Sequence, residues 1–244
     1  MKPTGADRYD LHIEDGLLDG VCRPALIWAT GIDAPQASDV PPEFLNLLLQ
    51  RVAEAGETFV PSERRQRVRK MLRYGKYRPS GRGKPSSEYL LRAALGDSFP
   101  TVNGPVDVNN AISLESGLPA SIFDVGLSGS ELLLRRGRPA ETYVFNHSGQ
   151  TIDLEDLLLV CRWDQEMDDW VPCGNPVKDS MATKISPEAR DVVAVLYVPA
   201  DEPHAFATQW AAAFSDLLKQ ACHADSSGYR VLGQTESNAA PGES

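Results

Sequence analysis

The chain has 244 residues, 42% of them hydrophobic and 24% charged, which is typical of a globular protein long enough to bury a substantial core. No cationic start precedes an apolar run, and no apolar run approaches the roughly 20 residues that span a bilayer, so we expect a cytoplasmic protein that does not contact membranes. The four cysteines and four histidines are scattered without metal-ligand spacing, which argues against a zinc site and a disulfide framework. We therefore predict no metal and no cofactor.

The charge is distributed unevenly. The net charge is −10 and the sequence pI is about 4.9, which by itself argues against non-specific binding to nucleic acid. However, ten of the 24 basic residues fall between positions 64 and 84, and no acidic residue lies among them. They are Arg64, Arg65, Arg67, Arg69, Lys70, Arg73, Lys76, Arg78, Arg82 and Lys84. A local basic stripe on an acidic protein can bind one region of a polyanion and repel it elsewhere.

The first 75 residues predict two strands and two helices. Short apolar runs predict strands at 11–13 and 24–29, and a helix beginning at Ser38 or Asp39 presents Phe44, Leu45 and Leu48 on one face before it ends near Gly56. A basic helix follows, from 61–62 to 74–75. Its cations have two interpretations: a solvated charged face, or a surface that binds a phosphate backbone with the help of the nearby tyrosines.

Residues 86–95 have the apolar spacing of a helix that ends before Gly96. The chain then becomes polar and rich in turn residues, beginning with Asn103, Gly104 and Pro105. The Asn and Asp side chains that follow lie between apolar residues, where burial is costly unless they are hydrogen-bonded. They indicate either an irregular loop fixed by local Asx hydrogen bonds or the wall of a pocket.

The second half is rich in predicted strands, at 131–135, 142–145, 157–162 and 192–198, with an acidic hairpin tip at 164–169. The polar segment 173–183 connects two of them, either as an ordinary connection or as a binding loop. A last helix spans 203–223. We expect an N-terminal extension at 1–60 packed on a main domain at 61–223, followed by a disordered tail at 224–244.

Residues 103–124 contain ten residues at fixed spacing: Asn103, Val106, Asp107, Asn110, Leu114, Glu115, Gly117, Pro119, Phe123 and Asp124. They match in register the pattern N-x-x-V-D-x-x-N-x-x-x-L-E-x-G-x-P-x-x-x-F-D. By this pattern the segment resembles the B3/B4 editing domain of the phenylalanyl-tRNA synthetase beta subunit. The resemblance extends more thinly over roughly residues 64–198, through Arg135, Glu141 and the segment around Lys178. No aminoacylation motif accompanies it, so it implies a free-standing form of the domain.

This resemblance implies an α+β fold, with packed β-sheets and a helical layer, and an activity that hydrolyses the ester of a mischarged aminoacyl-tRNA. Discrimination between the attached amino acids would depend on one buried polar group in the pocket, because an amino acid that cannot form a hydrogen bond with that group is rejected. The family's recognition residue is a Glu, which aligns with Asp179. A His near the reacting ester aligns with Ser121, so an imidazole general base is missing at that position. Hydrolysis would then depend on a positioned water and a ribose hydroxyl.

The resemblance and the charge pattern together assign three sets of site residues. The catalytic set is Asn110 and Ser121, and the substrate-binding set is Asp107, Gly174, Asp179, Ser180 and Thr183. The RNA-binding set is Arg65, Arg69, Arg73, Lys76, Arg78, Arg82 and Lys84.

Two functions remain open at this point. The first is a trans-editing hydrolase that binds aminoacylated tRNA, and the second is a non-catalytic module that binds RNA or an amino acid. The two differ in whether Asn110, Ser121 and Asp179 converge on one concave pocket near the basic helix.

Overall fold

The computed structural model describes residues 8–33 and 41–233. Within them the chain forms helices and strands with the following bounds. The helices are α1 (Glu43–Ala55), α2 (Ser62–Leu72), α3 (Ser86–Leu95), α4 (Gly104–Ser116), α5 (Val125–Ser128) and α6 (His204–Ala221). The strands are β1 (Asp10–Ile13), β2 (Ala25–Thr30), β3 (Ala120–Asp124), β4 (Glu131–Arg136), β5 (Thr142–Val144), β6 (Thr151–Asp153), β7 (Leu158–Asp164), β8 (Asp169–Gly174), β9 (Asp191–Leu196) and β10 (Ser226–Val231).

The strands form two four-stranded sheets and a separate hairpin. One sheet has the order β10-β2-β9-β3 and is antiparallel throughout. The other has the order β1-β4-β7-β8, in which β1 and β4 are parallel and the remaining pairs are antiparallel. Strands β5 and β6 pair with each other. The fold is α+β, as expected.

Most of the core lies around the first of these sheets. Its interior strands β2 and β9 read ALIWAT and DVVAVL, and nearly every residue in them is buried, as near-continuous apolar runs predict for strands covered on both faces. Phe214 and Leu218 of α6 belong to the same cluster. A second cluster joins α1, α3 and α4, and a third surrounds β5 and β7. Strand β2, from the region expected to be an extension, therefore lies inside a sheet shared with later strands.

Several predicted elements are confirmed. Helix α3 ends at Leu95, directly before Gly96, and the acidic tip at 164–169 connects the antiparallel strands β7 and β8. Helix α1 begins at Glu43, after Pro42, and the predicted start at Ser38 or Asp39 lies outside the described residues. Of the helices in the described ranges, none has both the length and the apolar character that crossing a membrane would require.

The irregular loop expected after Asn103 is wrong, because this segment is the 13-residue helix α4. Asn103 is its N-cap, and the side-chain oxygen of Asn103 accepts a hydrogen bond from the backbone N–H of Val106 at 3.1 Å. Pro105 lies in the first turn, where a missing N–H costs nothing. The signals that resembled a turn are therefore the signals of a helix start.

The disorder expected for 224–244 is wrong for Ser226–Val231, which form the edge strand β10 against β2. Gly228 lies beneath the ring of Trp28, since an added Cβ would be 2.6 Å from Trp28 Cζ2. A glycine that weakens an isolated strand here permits a close approach to an aromatic ring. Residues 234–244 lie outside the described residues.

Gly117 ends α4 in the left-handed conformation, with φ of 73°, and leads directly into β3. An added Cβ would lie 2.5 Å from Val60 Cγ1. We expect Gly117→Ala to lower the free energy of unfolding by roughly 2–4 kcal/mol, from overpacking and left-handed strain together, measured by urea denaturation.

The control is a double-mutant cycle with Val60→Ala, which removes the contacting methyl group. Gly117→Ala should cost about 1 kcal/mol less in the Val60→Ala background, because the backbone strain and the approach of the added Cβ to Arg64 Cγ at 3.2 Å then remain. Equal costs in both backgrounds would mean that Val60 does not restrict this position.

Candidate functional site

A buried hydroxyl and carboxyl cluster connects β3, β9 and the loop after β8. The Oγ of Ser121 donates to Oδ1 of Asp179 at 2.6 Å and lies 2.9 Å from the hydroxyl of Tyr197. Ser121 is opposite Val195 in the sheet, so Tyr197 is its diagonal neighbour on the same face. Ser121 and Tyr197 are both fully buried. The structure thus brings Ser121 and Asp179 together, as expected, but inside the protein.

Asn175 organises the loop that carries Asp179. Its Oδ1 accepts from the backbone N–H groups of Val177 and Lys178 at 2.7 and 2.9 Å, which is an Asx arrangement. Its Nδ2 donates to the hydroxyl of Tyr143 at 2.6 Å, and that hydroxyl donates to the carbonyl of Lys178. Asn175 is 1% exposed, and these contacts give both its Oδ1 and its Nδ2 a hydrogen-bond partner.

The carboxyl group of Asp179 titrates near neutrality. Burial raises the pKa of Asp179 from 3.8 to about 7, and hydrogen bonds from Ser121 and the backbone N–H groups of Asn175 and Ile122 only partly oppose that rise. Burial also raises the pKa of the Tyr197 hydroxyl well above its ordinary value. The cluster therefore contains a carboxyl group that exchanges its proton near pH 7, beside two hydroxyls that stay protonated.

The other residues expected in the substrate-binding loop have local structural contacts. An added Cβ on Gly174 would lie 2.5 Å from Phe123 Cζ, so this position requires glycine for packing. The backbone N–H of Ser180 donates to the carbonyl of Cys173, and its Oγ accepts from the N–H of Ala182. Thr183 Oγ1 is 3.5 Å from the same Cys173 carbonyl. These contacts fix the turn to the end of β8.

Asp107 and Asn110 lie on α4, which is a different element from the Asp179 loop. Oδ1 of Asp107 accepts from the backbone N–H of Val102 at 2.8 Å, and burial raises the pKa of Asp107. The half-buried Asn110 contacts the side chain of Asn109 at 3.4 Å. Among the described residues, no hydrogen bond joins Asp107 or Asn110 to Ser121 or Asp179. The cluster and the α4 amides are therefore not one hydrogen-bonded constellation.

Acidic residues from distant parts of the chain neutralise much of the basic helix. Arg69 forms two bonds to Glu88 on α3, at 2.6 and 2.5 Å. Glu202, which is 4% exposed and precedes α6, pairs with Arg64 at 2.7 Å and with Arg67 at 3.2 Å. Pairs of this kind fix the helix to its neighbours. The helix α2 thus has a structural role that its charge run did not indicate.

The exposed cations that follow α2 line a groove of about 990 Å³. One wall is the 76–83 segment, including the short helix Gly81–Gly83, and the other is the β5–β6 hairpin with Lys178. Four cations and two carboxylates line it: Lys76, Arg78, Arg82, Lys178, Asp153 and Glu155. Lys76 is paired with Glu155 at 2.7 Å. The remaining lining has three cations and one carboxylate, so the groove has an excess of positive charge.

Aromatic rings complete the groove lining. The ammonium of Lys178 lies 4.0 Å from the ring centroid of Phe145, and the ring of Tyr77 lies on the opposite wall, where its hydroxyl donates to the carbonyl of Gly83. The backbone of Lys178 is held by two of the hydrogen bonds described above, its N–H to Asn175 and its carbonyl to Tyr143. The groove and the buried cluster therefore share one loop, although Ser121 does not line the groove.

Of the residues predicted to bind RNA, the structure places Lys76, Arg78 and Arg82 together in the groove. Arg65 is half-buried on α2, Arg69 is paired with Glu88, and Lys84 is exposed beyond the groove lining. Arg73 lies near a second, smaller cavity.

Sequence reasoning missed Asn175, Tyr143, Tyr197, Phe145 and Lys178. Two of them had a usable signal: Asn175 stands between Gly174 and Pro176 in a turn, and Lys178 lies in a segment that the family resemblance covers. Across the described residues, no group of three or more His, Cys, Asp or Glu side chains is arranged to hold a metal ion.

No protein-family model matches this sequence. A similar solved structure is an N-terminal fragment of the phenylalanyl-tRNA synthetase beta subunit from Pyrococcus horikoshii, with a TM-score of 0.47 and 9% sequence identity. The match covers 90% of this chain and 51% of the fragment, so this chain spans about half the length of the fragment.

The raised pKa of Asp179 predicts a pH-dependent stability difference between the wild-type protein and Asp179→Asn. Between the unfolded pKa near 4 and the folded pKa of about 7, the unfolded chain releases the Asp179 proton while the folded protein keeps it. The wild type therefore loses stability as pH rises through that window, and the loss is complete above it. The variant lacks this effect.

We expect the free energy of unfolding of Asp179→Asn, relative to wild type, to rise by on the order of 1 kcal/mol per pH unit from about pH 4 to pH 7, and then level off. Urea denaturation at several pH values measures it. Asp153→Asn, which removes an exposed carboxylate from the β5–β6 hairpin, is the control for the loss of one negative charge. If the difference in unfolding free energy between Asp179→Asn and the wild type does not change with pH, the raised pKa of Asp179 is contradicted.

Proposed function

We propose that this chain is a relative of the B3/B4 domain and that it binds a single-stranded segment of RNA, with tRNA as the expected partner. The observation that carries the proposal is the groove of about 990 Å³, where Lys76, Arg78, Arg82 and Lys178 surround Phe145 and Tyr77. Cations attract the phosphate backbone, and aromatic faces stack on unpaired bases. The match of residues 103–124 to the family pattern supports tRNA as the class of RNA.

The charge balance of the whole chain favours binding at one place. With 34 acidic and 24 basic residues, most of the surface repels a polyanion. The ion pairs of α2 further reduce the positive charge available there, because Arg64, Arg67, Arg69 and Lys70 each contact a carboxylate. The groove is a place where exposed cations and aromatic rings occur together.

We expect the variant Arg78→Gln/Arg82→Gln to bind RNA at least tenfold more weakly than wild type at 100 mM salt. The slope of log K against log salt should become less negative by about 1.4, or roughly 0.7 for each phosphate of single-stranded RNA that the variant no longer neutralises. Fluorescence anisotropy with a tRNA and with a single-stranded oligonucleotide measures both quantities. The matched control is Arg138→Gln, because Arg138 is exposed but pairs with Asp169 away from the groove.

Phe145→Ala separates stacking from charge. It should weaken binding by an amount equivalent to about 1–3 kcal/mol and leave the salt slope unchanged. Equal affinity and slope for wild type and Arg78→Gln/Arg82→Gln would refute the groove as the RNA site.

Hydrolysis of an aminoacyl-tRNA ester is a second candidate, and the specific observation in its favour is Asp179. A carboxylate with a pKa of about 7 is matched to general-base work near neutral pH, and Asp179 keeps partial solvent exposure. In this mechanism Asp179 accepts a proton from the attacking water. Ser121 and Tyr197 orient the carboxylate but, being fully buried, do not contact the ester. Lys178, on the same loop, connects this base to the groove.

A deacylation assay against a panel of mischarged tRNAs tests the second candidate. We expect the rate for one aminoacyl-tRNA to rise with pH up to about 7 and then level off, as Asp179 loses its proton, and to fall at least 100-fold in Asp179→Asn. The Arg138→Gln variant should keep the wild-type rate. No release of amino acid by the wild type, with tRNA still bound, would leave RNA binding as the function and exclude hydrolysis for the panel.

A further inference from the structure

A second cavity, of about 120 Å³, is lined by residues of α2 and of the segment that follows it. Its charged lining comprises the four cations Arg67, Lys70, Arg73 and Arg136 and the carboxylate of Asp201. It shares no lining residue with the groove.

Two of its cations form no ion pair, although the carboxylates of Glu14 and Asp156 lie close enough to Arg136 to raise its pKa against the effect of burial. Lys70 pairs with Asp201 at 3.3 Å, and Arg67 pairs with Glu202 at 3.2 Å. Within the described ranges, no carboxylate pairs with Arg73 or with Arg136. Arg73 is exposed and Arg136 is half-buried, so the cavity has one cation at the protein surface and one deeper in its lining.

Arg136 has the more unusual surroundings. Its guanidinium lies 4.6 Å from the centroid of the Tyr74 ring, and its two terminal nitrogens contact the carbonyls of Asp156 and Met71 at 3.4 and 3.3 Å. Its Nε is buried and has no hydrogen-bond partner among the described residues. Burial lowers the pKa of Arg136, as expected for a cation in a poorly hydrated site. Each terminal nitrogen carries two N–H donors but makes only one of these contacts, so the guanidinium can donate to an added acceptor.

We propose that this cavity binds a phosphate group, either as inorganic phosphate or as a terminal phosphomonoester. A phosphomonoester carries close to two negative charges at neutral pH, which suits two guanidinium groups that form no ion pair, and its oxygens suit arginine donors. The cavity volume of about 120 Å³ is sufficient for a phosphate group. The phosphate enters at Arg73 and contacts Arg136 at the wall.

The direct test is calorimetric titration of inorganic phosphate into the full chain at constant ionic strength. We expect saturable binding that weakens at least tenfold in Arg73→Gln and in Arg136→Gln and is unchanged in Arg138→Gln, which removes an exposed cation that lines neither cavity. Circular dichroism checks the fold of each variant. If Arg136→Gln does not fold, the exposed Arg73→Gln decides the result.

A pair of tetranucleotides distinguishes the two sources of the phosphate. If the 5′-phosphorylated form binds about tenfold more tightly than the 5′-hydroxyl form and Arg73→Gln removes the preference, the natural ligand is an RNA end. If the two forms bind equally while inorganic phosphate still binds at this cavity, the ligand is free phosphate. The proposal is overturned if neither inorganic phosphate nor the phosphorylated end is preferred by the wild type, or if Arg73→Gln binds both as the wild type does. None of these readouts requires RNA to bind in the groove.

Discussion

The pairing of buried polar groups in the loop at residues 174–180 is the constraint on which the rest of the site depends. Asn175 uses both ends of its amide there, and it holds Asp179 against Ser121 and Lys178 against the groove. A polar side chain at 1% exposure is tolerated only when its hydrogen bonds are made within the protein. The same loop therefore determines the ionisation of the partly buried Asp179 carboxyl group and the position of a surface cation.

Much of the fold was predictable because its strands and helices have local signals. The apolar runs of β2 and β9 and the spacing of α3 and α6 are visible in the sequence, and the structure confirms them. Helix α4 was not predictable from periodicity, because it is buried on most of its surface and its polar residues Asp107, Asn109 and Ser113 are buried with the apolar ones. Its N-cap was a readable signal, but the same residues also favour a turn.

The site was less predictable, for a different reason. A run of cations shows charge but not its partners, and the carboxylates that pair with α2 come from Glu88, Asp201 and Glu202, of which two are more than 120 positions away. The groove joins three separate segments, since Phe145 comes 63 positions and Lys178 96 positions after Arg82. The family resemblance expected Asn110, Ser121 and Asp179 to converge, and the structure brings only Ser121 and Asp179 into contact. The sequence could not show that Ser121 is fully buried, since its burial depends on Tyr197 and on the packing of Gly174.

The position of β10 also limits the order in which this protein can fold. Strand β2 is an interior strand, yet one of its two neighbours comes from Ser226–Val231, almost 200 residues later in the chain. Contacts at such a separation require closure of a large loop and form late. During synthesis, one edge of β2 must therefore stay unpaired until residue 231 has left the ribosome. Over that period the buried segment ALIWAT is an exposed apolar strand edge, the kind of surface that chaperones cover.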